Sequence, residues 1–227
     1  MKNSLIILTS NEIEGVRTLF DRIPFDKFDE YLVIDWRSQD GTVEFLKEKG
    51  IKVISQREKG RGEAFRMASE IAQGDILVFF SPDGNEDPQD TTKLSKEIGN
   101  GYDMVIASRF LPQSKNDQSD SLFPYRAWAN KTFTFLANFF FGGKLSDSIN
   151  GFRAIRRDKF GKLKLDSKGF AIEYQLSIRA LKSRYKIKEI PTIERPRIGG
   201  KSKAGSFSVG LDLLKLLLRE IWIEKKY

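Results

Sequence analysis

Carboxylates, arginines, lysines and hydroxyls are the groups with which this chain can do chemistry, because its 227 residues include no histidine and no cysteine. Imidazole is excluded as base, nucleophile or ligand, and thiolate metal sites and disulfides are excluded with it. The acids and turn formers are most concentrated from Gly74 to Pro88, G-D-I-L-V-F-F-S-P-D-G-N-E-D-P. Ile76 to Phe80 is a short, continuous apolar run, β-branched and aromatic, as in a strand buried on both faces. It ends in the turn-forming cluster Ser81-Pro82-Asp83-Gly84-Asn85, with Glu86 and Asp87 just beyond. A buried strand that delivers Asp83 to its C-terminal edge puts an acid where open α/β sheets bind ligands. Oxygen ligands there suit Mg²⁺ or Mn²⁺, hard cations that partner phosphates. A solvated acidic turn would have the same composition, so this segment alone does not choose.

The rest of the chain supplies elements that would position such a site. Leu5 to Leu8, Tyr31 to Ile34, Ile51 to Ile54, Ile76 to Phe80 and Met104 to Ala107 read as buried strands. Helical segments follow Asn11-Glu12, run from Val43 to Lys49, and run from Glu63 to about Ala72. This alternation predicts an α/β fold with a mostly parallel central sheet and helices on both faces. In such a sheet Asp35, Asp83 and Arg109, each just after a strand, converge on one edge.

Beyond Arg109 the pattern changes. Leu111 to Asp120 is polar and reads as a loop. Arg126 to Phe141 reads as a helix with a polar stripe at Arg126, Asn130, Thr134 and Asn138 and a heavy aromatic load elsewhere. That load fits either core packing or a membrane-surface helix. A turn at Asp147 to Arg153 feeds a short strand, a helix starts near Gly169, and Ile187 to Ile193 is a further strand. Arg195 to Lys203 is a basic, glycine-containing loop whose N–H groups and cations suit a diphosphate. The last helix, from about Ser206, has a wide apolar face with Trp222, and Lys225 and Lys226 follow it. It fits a membrane interface, the domain itself or a second subunit. The expected division is an α/β unit over 1–205 and an amphipathic helix over 206–227, which could lie at a membrane interface.

Composition narrows the partners. The formal charge of +8 favours anions such as nucleotides or phospholipid headgroups. No nucleic-acid motif appears, and much of the charge lies in loops that suit phosphates. No apolar run approaches the roughly 20 residues that span a bilayer, and the N-terminus is too short for a signal peptide. The absence of cysteine fits a reducing compartment.

Taken in order, these segments resemble the inverting GT-A glycosyltransferases of family 2, and most closely the dolichyl- or polyprenyl-phosphate mannose and glucose synthases. Asn11-Glu12 matches the family's N-E after the first strand, and Val33 to Thr42 its V-V-D-D-G-S-T-D-G-T. Gly60 to Ala64 matches G-K-G-x-A, Ser81-Pro82-Asp83 stands at D-x-D, and Ser108-Arg109-Phe110 matches S-R-Y. Asp147 to Arg153 matches D-x-x-S-G-F-R, and Arg197 to Lys203 matches R-x-x-G-x-S-K. Each motif is weak alone; their order on the predicted strand ends makes the likeness specific.

The resemblance implies transfer of a hexose from a GDP- or UDP-linked sugar to a polyprenyl phosphate. Peripheral attachment to the inner, cytoplasmic face of a membrane would go with that acceptor. It places Leu8, Ser10, Asn11, Glu12, Asp35, Arg61, Ser81, Pro82, Asp83 and Asn85 around the donor. Asp83 and Asn85 would hold Mg²⁺ or Mn²⁺, with Asp83 the main ligand because Ser81 replaces the first acid of D-x-D. Arg109, Arg126, Arg197 and Lys203 would gather phosphate charge, and Asp147 would join Asp83 in the catalytic set. A lipid phosphate needs no general base. A hydroxyl acceptor would need Asp147 or Glu173. Two alternatives stay open: a saccharide-hydroxyl acceptor, or a non-catalytic nucleotide-sugar-binding homologue.

Overall fold

The computed structural model describes residues 1–115, 125–199 and 206–223. Its centre is a seven-stranded sheet in the order β3-β2-β1-β4-β6-β5-β7. The strands are β1 (Asn3–Thr9), β2 (Glu30–Asp35), β3 (Val53–Ser55), β4 (Ile76–Phe80), β5 (Met104–Ser108), β6 (Arg153–Arg156) and β7 (Ile187–Pro191). All neighbouring pairs are parallel except those made by β6, which runs antiparallel between β4 and β5. The expected mostly parallel sheet with helices on both faces is what forms.

Strand alternation explains the two cores. Along β1, Ile6 and Leu8 face one side while Leu5 and Ile7 face the other. The same split sends Leu77 and Phe79 of β4 one way and Val78 and Phe80 the other. The first face is covered by α3 (Arg61–Ile71), α6 (Arg157–Lys162) and α7 (Ile172–Lys182), with Phe65 stacked on Phe79 at 4.0 Å between ring centroids. The second is covered by α1 (Ile13–Leu19), α2 (Thr42–Glu48) and α4 (Asp90–Gly99). Two of these helices escape a reading by pattern. In α4 only Leu94 and Ile98 are large apolar residues, and α6 buries only Phe160, so the helical period is barely written.

A third cluster joins α5 (Tyr125–Phe141), α7 and α8 (Ser206–Trp222). Leu213, Leu216 and Leu217 of α8 pack with Ala137 of α5 and with Tyr174 and Ile178 of α7. Buried charge fastens α8 as well. Glu220 is fully buried, its carboxylate 2.8 Å from Arg179 Nη2 and 2.9 Å from Lys182 Nζ. The last helix is therefore docked on α5 and α7 by one face. Its other face exposes Leu211, Leu214, Leu218, Ile221 and Trp222.

Strand direction decides where the loops meet. From β1 the chain passes to β2 and β3 on one side, then returns to β4 on the other, which is a topological switch. The ends of β1, β4, β5 and β7 and the start of antiparallel β6 share one edge.

Candidate active site

A cavity of about 450 Å³ opens at that edge. Asp83 and Glu86 after β4, Arg109 after β5, Arg126 on α5, Glu173 on α7 and Arg197 after β7 all line it. Segments far apart in the chain thus bring acids and cations to one cleft. Apolar side chains line it too, among them Phe133 of α5 and Val209 and Leu213 of α8.

Arg109 is built into the cleft by a relay. The Glu189 carboxylate of β7 accepts the Asp147 N–H at 2.8 Å and the Ser146 N–H at 2.8 Å, which fixes the turn before β6. Asp147, fully buried, then accepts Arg109 Nε at 2.7 Å and Nη2 at 3.0 Å, a bidentate pair. Burial alone would raise the Asp147 carboxyl, but the adjacent Arg109 guanidinium outweighs it and holds the carboxyl below the usual carboxylate range. Asp147 is thereby committed to Arg109, and it does not itself line the cavity.

Arg197 comes from the basic loop after β7, which lies across the turn after β4. The Ile198 N–H donates to the Asp83 carbonyl at 2.8 Å and the Arg195 N–H to the Asn85 carbonyl at 3.1 Å. Gly84 is what permits this contact: its φ is +98°, and a Cβ there would sit 2.7 Å from Ile198 N. Arg197 Nη1 then reaches Asp83 Oδ2 at 2.8 Å, and its Nη2 pairs with Glu12. Lys203 of the same loop lies outside the described residues.

The segments after β1 and β2 clamp each other instead of lining this cavity. The Asp35 carboxylate, 3% exposed, accepts Thr9 Oγ1 at 2.8 Å and the Ser38 N–H at 2.9 Å. Asn11 donates its N–H to Ser38 Oγ at 2.7 Å and accepts the Gln39 N–H at 2.7 Å. Ser10 Oγ donates to the Trp36 carbonyl at 3.2 Å, and Leu8 is buried in the core. Asp35 therefore shares the sheet edge with Asp83 and Arg109, as expected, but does not line their cavity. Pro82 is buried against α1 and also stands back from the wall.

Arg61, at the start of α3, pairs through Nε with Glu173 and donates from Nη1 to Ser81 Oγ at 3.2 Å. The second carboxylate oxygen of Glu173 is buried without a hydrogen-bond partner. Glu86 accepts the Ser81 N–H at 2.8 Å. Burial and the nearby Asp83 carboxylate push the Glu86 carboxyl up to about 8, against the pull of that N–H, Arg61 and Arg109. Among the described residues no group of three or more acids gathers into a ready-made cation cage. Asp83 and Glu86, with Asn85, give the cavity wall two carboxylates and an amide oxygen. Magnesium-type ions are held by one or two carboxylates plus substrate phosphates, so this donor set fits a hard cation completed by a diphosphate. The sequence reading does not place Glu86, Phe133 or the α8 residues at the site. For Glu86 the signal was available: an acid in the turn that already held Asp83.

A switch-point cleft that combines acids with arginines defines an α/β protein with a site for charged ligands, and comparison narrows the class. The family profile for glycosyl transferase family 2 matches residues 4–164, and the chain belongs to that family. It is 31% identical over 193 residues to glycosyltransferase AglJ of Haloferax volcanii, covering 85% of this chain and 62% of that protein. It is 31% identical over 213 residues to the dolichol-phosphate mannosyltransferase of Pyrococcus furiosus, covering 89% of this chain and 59% of that protein. The chain thus spans about three fifths of the length of these two relatives. The polyprenol monophosphomannose synthase of Mycolicibacterium smegmatis is 27% identical, with 93% of this chain and 84% of that protein covered. Among solved structures, glucosyl-3-phosphoglycerate synthase from Mycobacterium tuberculosis, in complex with Mn²⁺, UDP and glucosyl-3-phosphoglycerate, superposes with a TM-score of 0.77 at 20% identity. The match covers 98% of this chain and 81% of that one. That likeness establishes the shared GT-A fold.

Proposed function

We propose that the chain transfers a hexose from a GDP- or UDP-linked sugar to a polyprenyl phosphate, with inversion, while lying peripherally on the cytoplasmic face of a membrane. The observation that carries this reading is one cleft lined by both cationic and apolar side chains. Arg109, Arg126 and Arg197 line it together with Asp83, and Phe133, Val209 and Leu213 line it as well. Arginines recognise phosphate through their planar fork, and apolar side chains suit a prenyl chain. The relatives named for dolichol-phosphate and polyprenol-phosphate mannose transfer support the same acceptor class.

Asp83, with Asn85 beside it, would hold Mg²⁺ or Mn²⁺, which supplies charge neutralisation for the departing diphosphate. Arg109, fixed by Asp147, and Arg197 would add fixed positive charge to the same oxygens. The acceptor phosphate is already an anion, so no side chain need remove a proton. Lys203 would join this set from the basic loop, and Glu12 and Asp35 would order the nucleoside end. No helix among the described residues is long and apolar enough to cross a membrane. Exposed Trp128, Phe135 and Phe139 on α5 and Trp222 on α8 support contact with a lipid surface.

A second reading keeps the fold and replaces the acceptor with a saccharide hydroxyl. It is favoured by the partnerless oxygen of Glu173, which would serve as general base. The test offers radiolabelled GDP-mannose and UDP-glucose with a short polyprenyl phosphate or with oligosaccharides. Label entering the organic phase supports the first reading. Label confined to a saccharide product supports the second.

A further inference from the structure

Where family members carry the first acid of D-x-D, this chain has Ser81, and the Ser81 hydroxyl is occupied by Arg61 Nη1 at 3.2 Å. The turn Ser81-Pro82-Asp83-Gly84-Asn85-Glu86 doubles back so that Glu86 accepts the backbone N–H of Ser81 at 2.8 Å. The carboxyl removed from the side chain of residue 81 is thus present beside its backbone, brought there from five positions downstream. Glu86 and Asp83 both line the cleft. Asp83 already draws a cationic group, Arg197 Nη1 at 2.8 Å. Glu173, 3% exposed, lines the same cleft, with one oxygen paired to Arg61 and the other lacking a partner. Carboxylates on the wall of a diphosphate pocket repel the ligand unless a cation stands between them.

We propose that Glu86 supplies the second carboxylate of the cation site, in place of the acid absent at Ser81, and that the donor's diphosphate completes the coordination. This rests on the nucleotide-sugar reading above. It predicts that the site binds its cation tightly only with a nucleoside diphosphate present, since two carboxylates alone make a weak hard-cation site. A brace for the turn would need only an acceptor for the Ser81 N–H. Gln at position 86 keeps that acceptor and loses the charge.

Mn²⁺ binding to the full chain, followed by electron paramagnetic resonance with GDP and then UDP as probes, separates the two roles. The parent is expected to take up Mn²⁺ with one of the nucleotides and far less without. Glu86→Gln should weaken that uptake by about tenfold or more, while metal-free nucleotide binding does not fall, because a repelling carboxylate has been removed. The double variant Ser81→Asp/Glu86→Gln, which moves the acid back, should recover it. Mn²⁺ affinity equal to the parent in Glu86→Gln would overturn the proposal and leave the donor reading intact, as would failure of the double variant to recover it. A parent chain that binds neither nucleotide, with or without Mn²⁺, would overturn the donor reading itself and this inference with it.

Discussion

Arg109 points into the cleft because a buried acid holds it there, and this pair is where residue-scale chemistry and stability meet. Asp147→Asn would leave a guanidinium that is 14% exposed with the weaker Glu194 contact at 3.5 Å in place of its bidentate anion, and breaking such a buried pair costs up to about 3–5 kcal/mol. Urea unfolding at neutral pH measures that loss. The folded Asp147 carboxyl lies below its ordinary value, so its contribution is full above the unfolded carboxyl's pKa, near 4. It disappears as pH falls through the lower folded value. Asp147→Asn should therefore flatten the acid limb of the stability profile below about pH 4. Sequence alone named both residues, one in S-R-F and one in D-S-I-N-G-F-R. It did not pair them, because 38 positions separate them and the contact exists only once β5 and β6 are neighbours. Asp35 shows the converse. Its place after β2 was legible, but Thr9 and Ser38 claim its oxygens, and only the folded contacts reveal that.

At the scale of elements, the site depends on how closely α1 approaches the turn after β4. Gly15 of α1 faces that turn, and a Cβ there would lie 2.0 Å from the Pro82 carbonyl oxygen. Gly15→Ala must push the helix or the Pro82-Asp83 turn aside. We expect a destabilisation of about 1–3 kcal/mol, as for overpacked cores, and a clear loss of nucleotide-sugar affinity by calorimetry. Unchanged affinity would mean that the turn's position does not matter to the ligand. The strands and most helices were readable because buried strands are written as continuous apolar runs and α3, α5 and α8 carry long apolar patterns. α4 and α6 were not, since each contributes one or two large apolar residues to the core. The antiparallel direction of β6 was also hidden: a four-residue strand has the same pattern either way.

The whole molecule presents two neighbouring helices, α5 and α8, that are packed together on one side and apolar on the other. Trp222 is 85% exposed and Trp128 71%. Such side chains are worth about 1.5–3 kcal/mol each when taken out of water. On vesicles containing anionic lipid, Leu218→Ser/Trp222→Ser should lower partitioning by about tenfold or more. Sedimentation of the protein with vesicles reads this directly, and equal binding by parent and variant would place the membrane contact elsewhere. The proposed function requires the cleft to grip a sugar-linked diphosphate through Asp83. Its most direct test is transfer of radiolabelled sugar from GDP-mannose or UDP-glucose into polyprenyl phosphate by the parent and by Asp83→Ala, with circular dichroism verifying that both are folded. The predicted result is label in the organic phase for the parent and at least about a hundredfold less for the variant. Equal transfer by a folded Asp83→Ala chain would contradict it.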